Sequence, residues 1–245
     1  MRRQHEPSRV HSESDAVVEC SGALTVTSWA DPPVPEKQAT AARIAATLIA
    51  PMVAALPPYV ATVQRVTASD LPYSWHRGCP VAPAQLRRIR LRYVGFDGRS
   101  HLGQLVVNER VVPQVVAVFR MLYRTRFPIR RMQPVDVYHG SDDRSAAADN
   151  TSAFNCRKAV APGATSWSMH AYGEAIDVND VENPYREGSR IIPPAGKAFL
   201  DRTNLRPGMA VEGGVLVRAF ARAGWGWGGR WRGTPDYQHF SVNGR

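Results

Sequence analysis

Ser168–Asp177 reads SMHAYGEAID, and the architecture follows from how this segment must bend. It sets an imidazole, His170, and a carboxylate, Asp177, seven residues apart, with a glycine and small or apolar residues between them. A helix face does not explain that pattern, and an odd offset puts two strand residues on opposite faces. His170 and Asp177 share a face only if the chain bends. Gly173 permits the bend, because glycine takes a positive φ at little cost. Ala175–Val178 then reads as a short buried strand carrying one acid inward. A carboxylate inside an apolar run needs a partner, and a cation is the usual one. A metal ion would serve both groups, but two ligands are not enough, and a third must come from elsewhere in the chain.

The chain of 245 residues can bury a full core as one generous domain or two small ones. Its 44% hydrophobic and 21% charged residues are ordinary globular values. The formal charge of +10 is not ordinary, and it predicts attraction to polyanions such as nucleic acid, acidic lipid or anionic cell-wall polymers. The basic groups are nearly all arginines, densest at Arg87, Arg88, Arg90 and Arg92 on a strand-like segment. No aromatic-interleaved basic groove and no nucleic-acid motif accompanies them, so a nucleic-acid partner is not expected. Three cysteines, none in CxxC spacing, exclude both a disulfide framework and a sulfur-rich zinc site. Cys79 and Cys156 lie in loop-like surroundings and are either a disulfide pair in an exported protein or two unrelated thiols.

Residues 1–62 read as a disordered N-terminal extension, polar and mixed in charge up to about residue 40. The apolar run from Ile44 to Ala61 is interrupted by Pro51, Pro57 and Pro58, too often for a stable membrane span. It has the character of a signal-peptide apolar region, although it lies unusually far from Met1. The folded domain is expected over residues 63–245. RIRLRYVGF alternates Ile89, Leu91 and Tyr93 against arginines, the period of a half-buried strand. Asp97-Gly98 signals a hairpin, with Leu102–Val107 as the return strand. Val112, Val115, Val116, Phe119, Leu122, Tyr123 and Phe127 recur at helical spacing, with Pro113 in the first turn and Pro128 beyond the end. PVDVYHG, from Pro134, reads as a second strand. The segment from Ser141 to Ser166 has no sustained period, and its Arg144, Asn150, Ser152, Phe154, Asn155 and Arg157 suit a binding loop. A second helix is expected at Val215–Ala223, with Val217, Phe220 and Ala221 inward and Gly224 as its cap. Gln238–Val242 reads as a closing strand.

Asp236-Tyr237-Gln238-His239 is the other place where a carboxylate and an imidazole are tightly spaced. With His239 added, the donor set becomes two nitrogens and one oxygen with a fourth position free. That is a catalytic zinc set, since structural zinc sites are closed and usually sulfur-rich. Asp236, three residues before His239, can lean over the open position and take a proton from water there.

Ser168-x-His170-x-x-Gly173-x-Ala175-x-Asp177 followed by Asp236-x-x-His239 resembles the LAS-type zinc peptidases of peptidase family M15. These are the VanY-type D-alanyl-D-alanine carboxypeptidases and the L-alanyl-D-glutamate endolysin peptidases. The resemblance spans roughly residues 85 to 242 and includes Asn183-Pro184-Tyr185 and the GWGWGG run. It implies an α+β fold of the LAS/hedgehog-like type, in which a small antiparallel sheet flanked by helices carries the zinc site. It further implies zinc on His170, Asp177 and His239, Asp236 as general base, and Arg144 on a substrate carboxylate or the scissile carbonyl. Ser168 would support a ligand or the bend, and Glu174 would point to solvent. An Asp base, where the vancomycin-resistance members carry Glu, brings the chain nearer the endolysin branch. The expected activity is zinc-dependent hydrolysis of peptidoglycan stem peptides, most simply as a D-alanyl-D-alanine carboxypeptidase. An L-alanyl-D-glutamate endopeptidase and a catalytically silent zinc-bearing wall-binding module are the alternatives. The expected setting is secreted or cell-envelope associated, with a peptidoglycan peptide as substrate and a monomer as the working unit.

Overall fold

The computed structural model describes residues 55–160 and 165–245. Residues 1–54, with Cys20 and most of the apolar run, lie outside the described residues, as do 161–164. The end of that run belongs to the fold. Tyr59 donates from its hydroxyl to the Val116 carbonyl, and Tyr123 donates to the Pro57 carbonyl. Strand β1, Ala61–Arg65, therefore starts just ahead of the domain boundary expected at residue 63.

β2 (Leu86–Val94) and β3 (Ser100–Asn108) form the expected hairpin, and β1 pairs antiparallel with β2 on its other edge. Gly98 takes φ +71° in the turn, which closes over the five residues Gly95–Arg99 rather than two, through the bond from Gly95 N to Arg99 O. Ile89 and Leu91 on β2 and Leu105 and Val107 on β3 face α1 (Val112–Arg124), which buries Val115, Val118, Phe119 and Leu122 against them. The opposite face of the sheet buries Leu86 and Val106 against Leu71 and Phe154. Burying both faces of the hairpin stabilises it by roughly 2 kcal/mol per large apolar side chain.

The second sheet is small, with order β4 (Ala175–Asp177), β8 (His239–Ser241), β7 (Gly226–Trp227), all antiparallel. Helix α3 (Val215–Arg222) joins it to α1 through Phe220, whose ring stacks on Phe240 and meets Phe119 edge-on. α3 buries Leu216, Val217, Ala219 and Phe220, whereas Ala221, expected inward, falls on its solvent side. Gly224 follows the helix with φ +82°, as its sequence position predicts. A separate hairpin, β5 (Tyr185–Glu187) with β6 (Arg190–Ile192), completes the α+β arrangement of helices and small antiparallel sheets.

Two sequence expectations fail, for local polar reasons. PVDVYHG is a short 3-10 turn, Val135–Tyr138, not a strand. The Asp136 carboxylate accepts from the Tyr73 and Ser74 amides and the Ser74 hydroxyl, which ties the segment to the loop at 73–74 instead of a ladder. The segment after Ser141 contains a helix, α2 (Asp142–Ala147), with Ser141 accepting from the Arg144 amide as its cap. A helix of six residues is too short to leave a periodic signature. No helix among the described residues is long and apolar enough to cross a membrane.

Candidate metal centre and active-site cavity

The SMHAYGEAID stretch bends as its glycine predicts. Met169–Tyr172 form a 3-10 turn capped by Ser168, whose hydroxyl accepts from the His170 amide at 3.3 Å. Gly173 ends the turn at φ +69°, and a Cβ there would lie 2.6 Å from the Asn108 amide nitrogen. The close approach matters, since the Asn108 amide donates to the Gly173 carbonyl and so hangs the stretch on the end of β3. The chain then enters β4, where Asp177 pairs directly with His239 of β8. On its other edge β4 pairs with Ser152, which exchanges two main-chain bonds with Asp177.

His170, Asp177 and His239 meet at that point. All three are buried, and their ligand atoms lie within 4.8 Å of one another. His170 Nε2 is 3.0 Å from Asp177 Oδ2, His239 Nδ1 is 3.2 Å from Asp177 Oδ1, and the two imidazole nitrogens are 3.2 Å apart. The outer nitrogens determine the protonation. His170 Nδ1 donates to the Ala153 carbonyl and His239 Nε2 to the Arg245 main-chain oxygen, because those oxygens only accept. The inner nitrogens of the neutral rings therefore carry lone pairs, and both face each other and the carboxylate. Burial pushes His170 below the usual histidine range despite Asp177, which keeps it a neutral ligand. Burial also works against a charged His239, yet the carboxylate outweighs it and raises the group, so a proton there is the alternative cation. Burial pushes Asp177 up, but the two imidazoles pull it well below the ordinary carboxylate range. Ligands about 2.0–2.1 Å from a tetrahedral zinc lie about 3.3 Å apart, close to the separations seen here. The residues fit zinc, with the outer carbonyls orienting both rings.

The cluster opens into a cavity of about 770 Å³. Asp236 lines it, and its buried Oδ1 has no hydrogen-bond partner among the described residues. Burial, and then the nearby Asp177, raise the Asp236 carboxyl to about 7. The turn that presents it depends on Gly228 of the GWGWGG run. A Cβ at Gly228 would meet the Asp236 carbonyl oxygen at 2.7 Å and the His239 Cβ at 3.2 Å. Trp225 and Trp227 are core residues, whereas Trp231 lines the cavity with its ring 5.2 Å from that of His239.

Arg144 does not take the place expected of it. It is exposed on α2 and is not among the residues lining the cavity. Arg110, Arg157 and Arg245 line it instead, and of these Arg157 is ion-paired with Asp142 and subject to the charges of Asp177, Asp236 and Asp180, in that order. Arg157 is carried there by the segment expected to be a binding loop. That segment threads past β3, β4 and the His170 turn through the Ser152, Phe154 and Asn155 amides. Its next residue, Cys156, is disulfide-bonded to Cys79 across 77 residues. The neighbouring cysteine is the one signal in the sequence that separates Arg157 from Arg144, and it carries weight only once the disulfide is known. Glu174 also departs from expectation. It is buried and ion-paired with Arg110 at the cavity wall, instead of pointing to solvent.

Residues 162–242 match the model of a family described as D-alanyl-D-alanine carboxypeptidase, within the M15 peptidases. No curated protein and no solved structure matches the chain. The matched segment contains His170, Asp177, Asp236 and His239, and the match supports the M15 peptidase family for this part of the chain.

Proposed function

We propose that the protein is a zinc-dependent peptidase that trims the C-terminal residue from peptidoglycan stem peptides, in the manner of a D-alanyl-D-alanine carboxypeptidase. The β4–β8 sheet and its flanking helices would then be an LAS-type fold. The observation that carries the reading is the convergence of three lone-pair donors beside an unpartnered carboxylate oxygen in one cavity.

His170 Nε2, His239 Nδ1 and the Asp177 carboxylate would hold the ion. Zinc, when bound, supplies Lewis acidity toward a water molecule and toward the scissile carbonyl. Asp236 accepts the proton of the attacking water on its free Oδ1 and returns it to the leaving amine. A base with its pKa near the working pH suits both transfers. Arg157 presents a rigid fork of donors to the substrate's terminal carboxylate, and the Asp142 ion pair holds it in place. Trp231 and Trp167 form apolar parts of the cavity wall. The Cys79–Cys156 disulfide supports a secreted or envelope setting, since such bonds persist in oxidising compartments. The +10 charge suits an anionic wall rather than nucleic acid.

The test is digestion of purified peptidoglycan and of a defined stem pentapeptide, with product masses recorded. Release of one terminal D-alanine, abolished by chelator and restored by zinc, is the expected outcome. Cleavage between the first two residues instead would reassign the protein as an endopeptidase. No cleavage by zinc-loaded protein would leave a wall-binding module.

A further inference from the structure

We propose that Asp180, on the wall of the same cavity, is the receptor for a primary ammonium group of the substrate peptide, such as the side-chain amine of a diamino acid residue. The proposal rests on the peptidase reading above and goes beyond it to the substrate's chemistry. Asp180 is 3% exposed, lines the cavity, and has a buried Oδ1 with no hydrogen-bond partner among the described residues. Leaving a buried carboxylate without a partner is costly, so such a group invites a donor from outside the chain.

Its placement is fixed by the residue before it. Asn179 sits at φ +50° and is held on every side. Its side-chain amide donates to the Pro128 and Gly208 carbonyls, its side-chain oxygen accepts from the Arg130 amide, and its own amide donates to the Thr151 hydroxyl. The pinned turn after β4 gives Asp180 little freedom to swing away. The charges acting on its carboxyl are mainly acids: Asp177, Asp149, Asp236 and Glu182, which with burial raise it well above the carboxylate range. Arg157 feels Asp180 too, but it is paired with Asp142 and feels Asp177 and Asp236 more strongly. Asp180 belongs to neither cluster of ligand-type side chains among the described residues.

Besides Asp236 Oδ1, two further buried oxygens without partners among the described residues, Tyr185 Oη and Gln238 Oε1, line the same cavity. Three acceptor-capable groups around one space match an ammonium, which has three donors and no acceptor. A carboxylate, which only accepts, would find a single donor among them, the Tyr185 hydroxyl.

The test uses zinc-loaded full-length protein and matched stem-type peptides with a free or an acetylated side-chain amine. Binding is read from quenching of tryptophan fluorescence and hydrolysis is followed separately, so failure of the peptidase reading appears as binding without cleavage. The free amine should bind about tenfold more tightly, a difference of about 1.4 kcal/mol. Asp180→Asn should erase that preference, whereas a merely structural role would weaken both peptides alike. Equal binding of the two peptides by the unaltered protein overturns the proposal, and this arm needs no variant to fold. A preference that survives Asp180→Asn overturns it as well. A third peptide, acetylated only at its α-amine, separates the two sources: if it alone loses affinity, the receptor takes a terminal ammonium instead.

Discussion

Among the described residues two trios of ligand-type side chains come together, His76 with Cys79 and Cys156, and His170 with Asp177 and His239. Each has its ligand atoms within 4.8 Å, yet the two differ in what their atoms already do. In the first, the cysteines are bonded to each other, and the two ring nitrogens of His76 face the Arg77 and Cys156 carbonyls and not a shared point with a carboxylate. In the second, the outer nitrogens are tied to main-chain oxygens, so the inner lone pairs and a carboxylate face one point. Proximity alone therefore does not make a metal centre. The direction in which the protons point separates a structural staple from a site that calls for a cation.

The largest effect that would sharpen the comparison is expected beside the second trio. Asp236→Ala should lower kcat by about 10³–10⁴-fold while zinc remains bound, since it removes the base but no ligand. Steady-state rates and zinc content measured on one preparation check this. In the unaltered protein, the rate should rise with pH as Asp236 ionises. That acid limb lies at or below about pH 7, the value to which burial and Asp177 raise it, because a bound cation favours the ionised form.

Breaking the first trio should damage stability rather than chemistry. Replacing Cys79 and Cys156 together by serine opens a loop spanning 77 residues and should cost about 4 kcal/mol. Denaturant unfolding would show the loss, and the folded fraction should still bind one zinc ion. The arginines give the smaller contrast. Arg157→Ala should reduce kcat/KM by about 10²-fold, while Arg144→Ala, on the exposed face of α2, should change it less than about twofold. Equal effects from the two would undo the placement of Arg157 at the substrate.

The regions differ equally in how much their sequences disclosed. The β2–β3 hairpin and α1 were legible because apolar periodicity dictates them, and Ile89, Leu91, Val115 and Phe119 fall on the faces the pattern predicts. The β4–β8 sheet has strands of only three residues, too short for periodicity, and was reached through chemistry instead. A lone acid in an apolar run and a glycine that permits a bend were sufficient to anticipate where His170 and Asp177 would meet. The Thr151–Arg157 segment was not legible in detail. Its place depends on main-chain bonds to Asp177, Val106 and His170 and on a distant cysteine, none of which has a local signature. Asp180 and Glu174 were hidden for a related reason, since a single acidic letter does not reveal whether a cation will meet it inside or outside the fold.

The most direct measurement is the zinc content of the purified protein and of two variants, one from each trio. The account predicts one zinc per chain, retained in His76→Ala and lost in His239→Ala. Zinc retained in His239→Ala but lost in His76→Ala would contradict it.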